Sequence, residues 1–84
     1  MKLNLEQLAA DSVDQSVREC KANMYNPTRE DVMDVARDNI WRNVIRLRKR
    51  LGLSTHADFV AIDAQTATNL AFKHVPSCVS GEGR

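Results

Sequence analysis

The chain has 84 residues, 43% of them hydrophobic and 27% charged, with a net charge of +1. These totals describe one small domain, and a chain so short buries only about 60% of the surface its unfolded form exposes. They exclude a many-turned β fold, because three glycines and two prolines supply too few turn formers.

The first element in chain order is a helix over residues 5–24. Leu5, Leu8, Val13, Val17, Cys20 and Met24 step by three to five and form one apolar stripe. Tyr25-Asn26-Pro27-Thr28 ends it, since Pro27 disfavours helical geometry at Asn26. A second helix runs from Thr28 to Leu51. Thr28 and Asp31 form a capping box with Asp in place of Glu, and Gly52 is a natural C-cap. Its apolar positions make two stripes. One comprises Val32, Val35, Ala36, Ile40, Val44, Leu47 and Leu51, and the other Met33, Trp41 and Ile45. The second predicts a partner interface, where exposed aromatics concentrate. Thr55 and Asp58 cap a short third helix over 56–62. A turn at 63–65 and a fourth helix from Thr66 to His74 complete a four-helix domain over 1–75, with a flexible tail over 76–84 beyond Pro76. One continuous helix from 56 to 74 is the alternative, as no glycine or proline lies within it.

Charge is unevenly placed. Residues 1–40 carry five cations against eight acids, and residues 41–84 seven against three. Five of those seven cations lie within 42–50, so a polyanion would meet the back half.

The stretch from Leu53 to Phe72 has the small and apolar positions of a helix-turn-helix. Ala57 stands at the helix crossing, Val60-Ala61-Ile62 at the turn, and Ala67 and Leu70 on the buried side of the second helix. Residues 42–74 resemble the Cro/C1-type repressors and, over Ala57 to Leu70, the CII-type activators of lambdoid phages. Two positions depart from the family pattern: Ala61 replaces the turn glycine, and Ala67 replaces a branched aliphatic residue. The resemblance implies double-stranded DNA as partner and a homodimer as the bound form. Gln65, Thr66, Thr68 and Asn69 would then read base edges from the major groove. Arg46, Arg48, Lys49, Arg50 and Lys73 would contact phosphates. The alternative function is a helical protein-interaction module, a phage-encoded inhibitor or adaptor, acting on a host protein through Met33, Trp41 and Ile45. Two helices crossing steeply within residues 55–74 would favour DNA reading, and one straight helix would remove the reading head.

No enzyme, cofactor or metal is expected. Cys20, His56, His74 and Cys78 lack the tight spacing of a zinc site. Cys20 lies on an apolar stripe, as inert thiols do, and no glycine-rich loop can cradle a phosphate. No apolar run reaches the roughly 20 residues of a membrane span or the pattern of a signal peptide. A cytoplasmic protein with reduced cysteines and no membrane association is the corresponding expectation.

Overall fold

The computed structural model describes residues 3–23 and 26–78, the last three as backbone. Three helices account for the secondary structure: α1 (Leu5–Asn23), α2 (Arg29–Arg50) and α3 (Ala57–Cys78). Each begins on a side-chain cap. Asn4 Oδ1 accepts from Gln7 N at 3.0 Å, satisfying one of the four unpaired N–H groups of a helix start. Thr28 Oγ1 accepts from Asp31 N at 3.1 Å, while Asp31 Oδ2 accepts from Thr28 N at 2.9 Å, which completes the expected capping box. At α3 the cap is His56, whose Nδ1 accepts from Asp58 N at 3.2 Å. The expected Thr55–Asp58 pair is not used.

α2 ends as the sequence suggests. Gly52 adopts φ 74°, Gly52 N donates to Lys49 O, and Leu53 N donates to Arg48 O at 2.8 Å. Those two bonds are the 5→2 and 6→1 closures of a Schellman motif. The turn they form reverses the chain into α3.

The helices alternate in direction. Asn43 bonds Ser12 and Asn39 bonds Ser16, so the numbering of α1 and α2 runs oppositely along their contact. Arg48 at the end of α2 meets Asp63 near the start of α3, whereas Met33, near the start of α2, shares a surface depression with Phe72. α3 is therefore antiparallel to α2 and lies alongside α1. The molecule measures 43 × 21 × 18 Å.

Ile40 is fully buried, as are Val13, Val32, Val44, Val60 and Val75, which come from all three helices. α3 contributes mainly small side chains, with Val60, Ala64, Ala67, Ala71 and Val75 buried at helical spacing. Alanines on that face let α3 pack closely without bulky interdigitation. A polar seam lies between α1 and α2. Asn39 Nδ2 donates to Ser16 Oγ at 2.9 Å, Asn43 Nδ2 donates to Ser12 Oγ at 2.9 Å, and Ser16 Oγ donates to the Ser12 carbonyl at 2.6 Å. Ser12, Ser16 and Asn39 are buried, and no buried side-chain polar atom among the described residues lacks a partner. The apolar stripes predicted for α1 and α2 omitted all three.

The fold is all-α as expected, but the described residues form three helices rather than four. Residues 63–65 continue α3 without a turn, so residues 55–74 contain no helix-turn-helix. The cause is local: alanine-rich sequence favours helix, and Asp63 is anchored to Arg48 from within the first turns. Ile62, which a helix-turn-helix would bury, is instead 64% exposed. Pro76 does not stop α3 either, because the helix continues to Cys78. Val75, fully buried, holds the helical backbone at the position that a following proline disfavours. Of the expected tail over 76–84, the first three residues therefore belong to α3, and 79–84 lie outside the described residues, as does Met24 of the first stripe.

Candidate functional site

Without a turn in α3, the residues expected to read DNA become part of one long helix. Ile62, Gln65, Thr66, Asn69 and Lys73 are all exposed, and their spacing of three or four puts them on a single outward stripe. Gln65 Nε2 donates to Asn69 Oδ1 at 3.1 Å, and Thr66 Oγ1 donates to the Ile62 carbonyl at 3.1 Å. Thr68 sits to one side, half-buried, with its hydroxyl donating to the Ala64 carbonyl at 2.7 Å.

The five cations expected at phosphates do not form one group. Arg46, Lys49 and Arg50 are exposed at the end of α2. Arg48 points inward: its guanidinium pairs with the Asp63 carboxylate, donates to the Ser54 carbonyl and lies 5.5 Å from the centre of the Phe59 ring. Lys73 is ten residues beyond Asp63, about 15 Å along the helix axis from the end of α2 that bears the other cations.

Of the three residues expected at a partner interface, only Trp41 is well exposed, at 40%. Met33 is 4% exposed and belongs to the core, and Ile45 is half-buried against it. Sequence reasoning missed what α3 adds. Trp41 shares a surface trough with Arg37 of α2 and with Ala61, Gln65, Thr68 and Phe72 of α3. Phe72 and Arg37 also line the adjoining depression with Arg29, Glu30, Met33 and Asp34, so the trough follows the α2–α3 seam. Phe72 is 39% exposed, and Phe59 and Ile62 are exposed near the other end of α3. Phe72 carried no signal in the sequence beyond its hydrophobicity, since its neighbour across the trough lies 31 positions away.

No protein-family model matches the chain, and neither a curated protein nor a solved structure is detectably similar to it. Function therefore rests on the surface chemistry. No helix among the described residues is long and apolar enough to cross a membrane. Among the same residues no three His, Cys, Asp or Glu side chains converge as a metal site would require. Cys20 is buried, and burial, reinforced by the nearby Asp31 and Glu19 carboxylates, raises its thiol pKa above the ordinary value. A thiol held protonated in this way is a poor nucleophile.

Proposed function

We propose that this protein is a helical interaction module that binds another protein along the seam between α2 and α3. The observation that carries this reading is the trough in which Trp41 and Phe72, one from each helix, are both about two-fifths exposed. Large aromatics partly exposed beside a groove are the usual anchors of an interface. An elongated trough between two helices suits an amphipathic helix presenting apolar side chains at i, i+3 or i+4, and i+7. Partner capture followed by mass spectrometry, repeated with Trp41→Ala and Phe72→Ala, tests it. One and the same protein should be retained by the wild type and lost by both variants, while the thermal midpoint of each stays within a few degrees. Equal retention by both variants would sink the reading.

A second reading is binding to double-stranded DNA as a small phage or bacterial regulator, and the exposed cluster of Arg46, Lys49 and Arg50 supports it. The continuous α3 removes the helix-turn-helix from this reading, and the Asp63 pairing withdraws Arg48 from its phosphate contacts. What is left is charge-driven attraction, with the polar stripe of α3 as the available base-reading surface. If three phosphates are neutralised, the logarithm of affinity should fall with that of salt at a slope of about −3. Anisotropy titrations of duplex DNA at two salt concentrations measure that slope, and no binding at low salt would exclude the reading.

A further inference from the structure

The outward face of α2 is antisymmetric in charge about Ile40. Asp34 and Asp38 precede it, and Arg42 and Arg46 follow it at the same distances. All four are exposed and four residues apart, so they form one ridge about 18 Å long.

We propose that α2 pairs with α2 of a second copy of this chain, antiparallel and across a two-fold axis midway between Asp38 and Arg42, on the face of α2 opposite the buried Ile40. Such an axis brings each position opposite the one equally far from the centre, as an isologous contact requires. Asp38 then meets Arg42 of the partner copy and Asp34 meets Arg46, so every charge of the ridge faces its opposite. Ridges of residues four apart interdigitate when two helices cross at about −50°, which is the geometry that aligns these rows.

Helix-dipole compensation does not account for the pattern. That effect favours acids in the first turn and bases in the last and fades within one turn, whereas Asp38 and Arg42 stand at the middle of a 22-residue helix. Within one chain these groups make only local pairs, Arg42 with Asp38 at 2.6 Å and Arg37 with Asp34 at 3.4 Å, all more than half exposed. Pairs of that kind are weak, so exchanging them for pairs across the axis costs little. The trough between α2 and α3 opens to one side of this face and shares only Asp34 with it, so Trp41 and Phe72 stay outside the pairing.

The test is a charge-reversal exchange followed by sedimentation equilibrium at low salt. One variant carries Asp34→Arg and Asp38→Arg, and the other carries Arg42→Asp and Arg46→Asp. Wild type should dimerise, with a Kd that rises at least tenfold between 20 mM and 500 mM salt, on the order expected for an interface of charged pairs. Each reversed variant should be monomeric, and an equimolar mixture should form a dimer containing one of each. A gentler variant, Asp38→Asn with Arg42→Gln, should weaken self-association at least tenfold with helicity unchanged. A wild-type protein that stays monomeric at low salt up to millimolar concentration overturns the proposal, as does a reversed variant that dimerises as well as wild type.

Discussion

Single residues in this protein differ sharply in how replaceable they are. Gly52 stands at φ 74° with nothing within 4 Å of where a Cβ would be, so replacing it strains only the backbone. Gly52→Ala should cost about 1 kcal/mol and lower the melting temperature by roughly 4–8 °C, measurable by calorimetry. Arg48 and Asp63 are only 12% and 15% exposed. Asp63→Ala leaves a shielded guanidinium without its counter-charge and should cost about 2–3 kcal/mol, while Arg48→Met combined with Asp63→Leu should recover most of that. A denaturant titration in which the double variant is no more stable than Asp63→Ala would contradict this account. Cys20 adds a pH dependence. Its thiol pKa is raised in the folded state, so the unfolded chain loses that proton first. Stability is unaffected below the ordinary thiol pKa of about 8.5 and declines as pH rises above it. The alkaline decline measured by thermal or denaturant unfolding should be smaller in Cys20→Ala than in the wild type.

At the scale of elements, α3 and the α1–α2 seam make opposite demands. α3 is held by a narrow apolar stripe and by unbroken backbone bonding, so a proline in its interior is the discriminating probe. Gln65→Pro removes a helical hydrogen bond and should cost about 3 kcal/mol or more. A loss under about 1 kcal/mol would mean that 63–65 is a turn after all. The seam depends instead on matched polar groups. Asn39→Ala removes the donor to Ser16 Oγ and Glu19 Oε1, leaving Ser16 only its own bond to the Ser12 carbonyl, and should cost about 1–3 kcal/mol. Adding Ser16→Ala should cost less than it does alone, giving a coupling energy in a double-mutant cycle. Asn39 and Ser16 fix which turn of α2 stands beside which turn of α1. A purely apolar seam would tolerate slippage by one turn.

For the whole molecule, three helices and about fifteen buried apolar side chains among the described residues make a thin core. Chains of this size often gain stability by association, which is consistent with the self-complementary face of α2 and with two aromatics left uncovered beside it. Helix class, the ends of α1 and α2, and the capping box were all legible in the sequence, because caps, glycines and apolar periodicity act within a few residues of one another. The place of Trp41 on a second stripe beside the main apolar stripe of α2 was legible too. Two features were not. Whether 57–78 formed one helix or two stayed open, since no glycine or proline divides residues 56–74 while the small and apolar positions of a helix-turn-helix are also present there. The trough likewise needs Phe72 to come beside Trp41, and a helical period cannot say which neighbour a helix will have. The sequence alone thus determined what each segment prefers to be, since those preferences come from short-range sterics and hydrogen bonding. Only the tertiary structure decided which polar groups were consumed in the interior and which aromatics stayed outside, because burial is a property of neighbours that are distant in the chain.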